Sequence, residues 1–157
     1  GTIVVTMDPG AAGLARDHRA IGLVERAPGL NAAIRAARSV AVARGATAIL
    51  VLPADLPAIT PSAVDDLLEA GAKAFSATGQ GLVAIVPDRH GSGTNALLVS
   101  PPALVEPHFG SDSLLLHRAA GGEAGATVIE LAGPLSLDLD TPADLLTVEA
   151  ELGSLHG

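Results

Sequence analysis

The stretch Ala48-Ile49-Leu50-Val51-Leu52-Pro53-Ala54-Asp55-Leu56-Pro57 limits what this chain can fold into more than any other. Its aliphatic run, Ile49 to Leu52, is continuous rather than alternating, the pattern of a strand buried on both faces in the middle of an α/β sheet. Pro53 has no backbone N–H to give to a ladder, so the strand is predicted to stop there. Asp55 follows two residues later, and Pro57 keeps Leu56 extended. Ligands of open α/β sheets gather beyond the carboxyl ends of the strands, so a carboxylate held there is placed to hold a metal.

The remaining composition narrows the function. Hydrophobic residues make up 48% of the 157 positions, enough for a core, and one domain spanning 1–157 is expected. Phe75 and Phe109 are the only aromatic residues, so Ala, Val, Leu and Ile must fill that core. No run approaches the roughly 18 apolar residues of a membrane span and no charged-then-apolar leader opens the chain, so a cytoplasmic protein with no membrane partner is expected. The absence of cysteine excludes disulfides, thiolate zinc sites and a cysteine nucleophile. A formal charge of -8 and the shortage of rings for base stacking argue against a nucleic-acid partner. A small phosphorylated ligand stays compatible, provided a divalent cation and local donors supply the positive field.

Along the chain, Thr2 to Thr6 reads as a strand, Ala11 to Asp17 as a short helix and Ile21 to Val24 as a short strand. A helix is predicted from Ala32, with Asn31 as its cap, Gly45 as its stop and Arg35, Arg38 and Arg44 facing water. Thr60-Pro61 opens a second helix that ends at Gly71, followed by strands at Ala72 to Ser76 and Leu82 to Val86.

Chemistry concentrates in three places. Pro87-Asp88-Arg89-His90-Gly91-Ser92-Gly93-Thr94-Asn95 precedes the apolar strand Ala96 to Val99: its glycines let backbone donors approach a ligand, Arg89 and His90 bring donors and charge, and Thr94 brings a hydroxyl. A plain hairpin has much the same composition, and the missing lysine rules out a P-loop. In His108-Phe109-Gly110-Ser111-Asp112-Ser113, Ser111 or Asp112 would cap a helix through Ala120 whose free N–H groups suit an anion. Last, Leu135 to Asp140 alternates, so in extended chain Asp138 and Asp140 project from one face about 7 Å apart at Cα, close enough for one metal. Thr141-Pro142 then opens a final helix, 143–152.

In this order, Leu52 to Pro57, Pro87 to Leu98, Phe109 to Ser113 and Asp138-Leu139-Asp140-Thr141-Pro142 resemble the 2-phospho-L-lactate guanylyltransferase family and its phosphoenolpyruvate-using relatives, which make a precursor of the deazaflavin coenzyme F-420. The resemblance covers the chain from about Gly29 onward. It implies a nucleotidyltransferase-like (Rossmann-like) α/β fold, a mostly parallel sheet flanked by helices, in which GTP and a phosphorylated three-carbon acid are joined with release of pyrophosphate. It also implies that Asp55, Asp138 and Asp140 hold Mg2+ at the catalytic centre, that Thr94, Gly110 and Ser113 hold the acceptor near Arg89 and His90, and that Gly29, Leu30 and Asn31 lie near the nucleotide. The family opens with a further strand and a basic triphosphate-gripping loop that this chain lacks, so an amino-terminally incomplete domain is expected. A non-catalytic binding domain for a phosphorylated acid, or transfer of another nucleotide, are the alternatives, and a homodimer is left open.

Overall fold

The computed structural model describes residues 1–26 and 29–137, so Asp138, Asp140 and the helix expected at 143–152 lie outside the described residues. Strand β1 (Ile3–Thr6), helix α1 (Pro9–Asp17) and strand β2 (Ile21–Val24) form a parallel unit in which Ile3 stands opposite Ile21. Asp8 caps α1 by accepting from the Gly10 N–H at 2.7 Å, and Pro9 stands at the first helical position. Gly22 is required for packing: a Cβ there would run into the Ala12 carbonyl of α1.

Helix α2 (Leu30–Ala43) begins at Gly29, whose φ of 96° suits glycine, and stops before Gly45, whose φ is 82°. Asn31 is therefore inside the helix instead of capping it, because its amide is drawn to another loop. Strand β3 (Ile49–Val51) ends ahead of Pro53, as the sequence requires. Helix α3 (Pro61–Thr78) starts where Thr60 Oγ1 accepts from the Ala63 N–H at 3.1 Å. It runs straight through Gly71 and absorbs the strand expected at Ala72 to Ser76. Gly71 is a contact point and not a stop: a Cβ there would meet Leu98 Cδ2 at 2.5 Å, so its bare backbone lets α3 lie close against the sheet.

Strand β4 (Leu82–Pro87), strand β5 (Thr94–Ser100), helix α4 (Ser113–Glu123), strand β6 (Thr127–Glu130) and a 3-10 turn (Pro134–Ser136) complete the described chain. The larger sheet has the order β3-β5-β4-β6. This is the expected α/β arrangement with a mixed sheet: β4–β6 and β1–β2 pair in parallel, whereas β5 lies antiparallel to both β3 and β4 because a short hairpin folds it back. The strands buried on both faces are β4 and β5, and β3 is the half-buried end strand of this sheet. Leu82, Ala84, Val86, Ala96 and Leu98 face a core shared with Leu67 of α3. Val83, Ile85, Leu97 and Val99 face one shared with Leu114 of α4. That alternation explains why the runs read as continuously apolar. Among the described residues no helix is long and apolar enough to cross a membrane.

Candidate functional site

Topology gathers the predicted site residues that are described at one edge. Val51 stands opposite Leu97, so the chain leaving β3 toward Asp55 runs the same way as β5 read backward from Leu97 to Thr94. The end of β4, which leads to Arg89 and His90, and the end of β6, which leads to Leu137, reach that edge too. Helix α2 ends its course at the start of β3, so its first turn, with Gly29 to Asn31, lies there as well. This is the edge at which α/β sheets bind ligands.

The segment 88–93 is a hairpin connection, and also a built one. Asp88 Oδ1 accepts from the Ser92 N–H at 2.9 Å, and a Cβ on Gly93 would sit 2.6 Å from Asp88 Oδ2. Pairing then slips: Pro87 is opposite Thr94 but Val86 is opposite Ala96, which leaves Asn95 as an extra, bulged residue. Without the bulge Thr94 would share the face of Ala96 and Leu98. With it, Thr94 turns to the α4 side, and bulges re-aim side chains in this way. Asn95 is buried, and its Nδ2 has no hydrogen-bond partner among the described residues. An orphaned buried donor is costly, so this amide marks a position where a ligand oxygen would be welcome.

Thr94 Oγ1 lies 3.0 Å from Nδ1 of His117, a fully buried residue of α4. His117 Nε2 accepts from the His108 N–H at 2.9 Å, and the Phe109 ring packs edge-on against the imidazole at 4.9 Å. Burial, and secondarily the neighbouring His108, lower the His117 pKa to about 4. From the other side α2 grips the same loop. Asn31 Nδ2 donates to the Phe109 carbonyl at 2.9 Å and its Oδ1 accepts from the Phe109 N–H at 2.8 Å. About two turns on, Arg38 reaches the Val105 carbonyl at 3.0 Å and pairs with Glu106 at 2.6 Å, so it is not a solvated surface cation.

Gly110 has φ 122° and Asp112 φ 57°, which turns the chain sharply into α4. Asp112 precedes the helix without a side-chain cap bond. Two donors expected to be free are engaged: the Ser113 N–H reaches Gly110 and the Leu114 N–H reaches the Ser92 carbonyl, both at 3.2 Å. That second bond joins the hairpin loop to α4, so Thr94, Gly110 and Ser113 belong to one connected patch. Ser113 itself is buried. Arg89 and His90 are exposed and touch each other, Nε to Nε2, at 3.3 Å. Gly29 and Leu30 line a separate cleft of ≈ 270 Å³ with Thr6, Met7 and Glu25.

Asp55 is exposed, and no described residue bonds to its carboxylate. A free carboxylate suits a hard cation such as Mg2+ by its donor chemistry. Among the described residues no group of three possible ligands forms, and the other two expected carboxylates, Asp138 and Asp140, lie outside them. His117 and Asn95 escaped the sequence reading. The signal for His117 was its place on the buried stripe Leu114, His117, Gly121 of an otherwise apolar helix face.

The fold defines the class first. A solved structure from Desulfovibrio desulfuricans G20, described as a candidate nucleotide-diphospho-sugar transferase, superimposes with a TM-score of 0.68 over 95% of this chain and 64% of that one, at 16% identity. The chain thus has a nucleotidyltransferase-like α/β fold. More particularly, residues 2–154 match the family described as guanylyl transferase CofC like, and the chain belongs to that family. It is 42% identical to a phosphoenolpyruvate guanylyltransferase of Conexibacter woesei over 159 residues, covering 99% of this chain and 68% of the relative. Relatives of the same name from Sphaerobacter thermophilus and Rubrobacter xylanophilus are 39% and 41% identical, over 91% and 96% of this chain and 66% and 71% of theirs. The chain therefore spans about two thirds of the length of these relatives.

Proposed function

We propose that this chain carries the acceptor-binding part and the metal ligands of a guanylyltransferase that transfers GMP from GTP to phosphoenolpyruvate or the related 2-phospholactate. An acceptor phosphate oxygen attacks the α-phosphorus of GTP, a new P–O–P bridge forms, and the bond to the β-phosphate breaks to release pyrophosphate. No protein nucleophile is needed, and catalysis is a matter of position and charge. The observation that carries the reading is the connected patch of Thr94, Gly110 and Ser113 at the edge that Asp55 also reaches, in a chain of this family.

In this reading the Thr94 hydroxyl and the free Asn95 amide donate to the anionic acceptor, with Arg89 and His90 near by. Gly29, Leu30 and Asn31 lie toward the nucleotide. Asp55, Asp138 and Asp140 hold Mg2+, which when bound neutralises charge on the two phosphorylated substrates. A cytoplasmic location and a place in coenzyme F-420 biosynthesis belong to the same reading.

The test is magnesium-dependent pyrophosphate release from GTP plus each acceptor, with calorimetry of each ligand alone. Release with phosphoenolpyruvate or phospholactate is expected. Binding of neither acceptor would overturn the reading, and acceptor binding without GTP binding would replace it with that of a binding domain.

A further inference from the structure

The buried imidazole of His117 has both nitrogens engaged, and their partners fix where its proton lies. A backbone N–H can only donate, so Nε2, 2.9 Å from the His108 nitrogen, must be an unprotonated acceptor. With its pKa lowered to about 4, the ring is neutral near pH 7 and carries one proton, which then lies on Nδ1. Nδ1–H faces Thr94 Oγ1 at 3.0 Å and donates to it. A threonine hydroxyl has one hydrogen and two lone pairs. Once a lone pair is taken from the protein side, the hydroxyl hydrogen must point elsewhere, and no described residue accepts it.

We propose that His117 is a positioning residue for the acceptor: through Nδ1 it makes the Thr94 hydroxyl an outward hydrogen-bond donor, and through Nε2 it pins the loop that leads into Gly110. The ligand atom so addressed is an anionic oxygen, of a carboxylate or a phosphate, because a hydroxyl restricted to donating favours an acceptor-only group. The same ring spans both halves of the patch. It joins the bulge at Thr94 to the loop 105–109, which Asn31 and Arg38 hold from α2. The proposal rests on the guanylyltransferase reading for the identity of the ligand, but its proton placement is independent of it.

Two substitutions separate the two bonds. His117→Asn keeps an N–H near the Nδ1 position and nothing to meet the His108 N–H. His117→Gln keeps an acceptor near the Nε2 position and loses the donor to Thr94. Steady-state kinetics are expected to show the KM for phosphoenolpyruvate about tenfold higher in His117→Gln, which loses the donor to Thr94, and about threefold higher in His117→Asn, which loses the pin on the loop, with the KM for GTP unchanged in both. Equal acceptor KM values in the parent and both variants would overturn the proposal while leaving the guanylyltransferase reading standing. If the parent neither binds nor uses phosphoenolpyruvate, it is that reading which falls, and the acceptor role falls with it. Should either variant fail to fold, nitrogen-15 NMR of the parent at neutral pH still decides: a proton on Nδ1 is expected, and a proton on Nε2 overturns the proposal.

Discussion

Two loops beside the edge where the carboxyl ends of β3, β4 and β6 lie are held in opposite ways. Loop 105–109 is gripped from α2 by Asn31 and Arg38 and from α4 by His117, five hydrogen bonds in which protein side chains engage backbone or a charged partner. The loop from Leu52 to Ile59 is anchored by the burial of Leu56 and Ala58 and, among the described residues, by one backbone bond, Ile59 N–H to the Leu56 carbonyl at 3.3 Å, while Asp55 stays exposed. The first loop is held by the protein's own side chains, which would preorganise the acceptor patch proposed above. The second leaves the Asp55 carboxylate open to solvent, which suits a residue proposed to contribute charge to a bound cation.

The largest expected effect tests the second loop. Asp55→Ala should lower magnesium-dependent pyrophosphate release by at least about a hundredfold, beyond what losing a group that merely supports a metal ligand typically costs. Its melting temperature should stay near that of the parent, because an exposed carboxylate without a described partner does little for stability. Comparable activity in the variant would remove Asp55 from the catalytic centre.

Next in size is a pH effect confined to the first loop. The unfolded chain takes up a proton on His117 near pH 6.5 and the folded chain only near pH 4. Between those values the unfolded state binds more protons, so stability falls as pH drops from 6.5 to 4 and levels off below. The contribution is on the order of 3 kcal/mol at most. Denaturant titrations at several pH values should show this slope in the parent and its loss in His117→Asn. The His108 ring, 6.2 Å from His117, and the Arg38–Glu106 pair remain in both proteins, so the difference isolates His117.

Asn31→Ala probes the grip from α2. It leaves both polar groups of the Phe109 peptide without their partner and should cost about 2 kcal/mol, or about 4 to 8 °C in melting temperature. Acceptor affinity should fall with it. Asn31→Asp keeps the bond from the Phe109 N–H but turns an acceptor oxygen toward the Phe109 carbonyl, so it should recover less than half of the loss. If both variants bind acceptor like the parent, the preorganisation argued for this loop is not what sets affinity.

The contrast also explains what was legible in the sequence. Backbone rules carried far: Pro53 ends β3, Thr60-Pro61 starts α3, and Gly45 closes α2. Readings failed where a residue serves a partner distant in sequence. Asn31 looked like a local cap because its bond to Phe109 spans 78 positions, and Arg38 looked solvated because Val105 and Glu106 are equally remote. Gly71 looked like a stop because only the folded structure brings Leu98 against it. The convergence of Asp55 with Asp138 and Asp140 lies outside what the described residues test.

The last pair of effects, the smaller of them the smallest expected, comes from two neighbouring glycines of α4, and they have opposite signs. A Cβ on Gly121 would meet Val128 Cγ2 at 2.7 Å and Val83 Cβ at 3.3 Å, β-branched side chains on two strands with little freedom to move aside. Gly121→Ala should therefore push α4 off the sheet and cost about 1 to 3 kcal/mol. Because α4 carries His117, acceptor affinity should weaken too, whereas Asp55 is reached through another element. A Cβ on Gly122 meets nothing within 4 Å, and alanine is the better helix former, so Gly122→Ala should stabilise by about 0.5 kcal/mol and leave affinity unchanged. Paired denaturant titrations and phosphoenolpyruvate calorimetry check both. A Gly121→Ala protein that loses stability but keeps full affinity would show that the His117–Thr94 contact tolerates movement of its helix, and would weaken the case that this loop is set before ligand arrives.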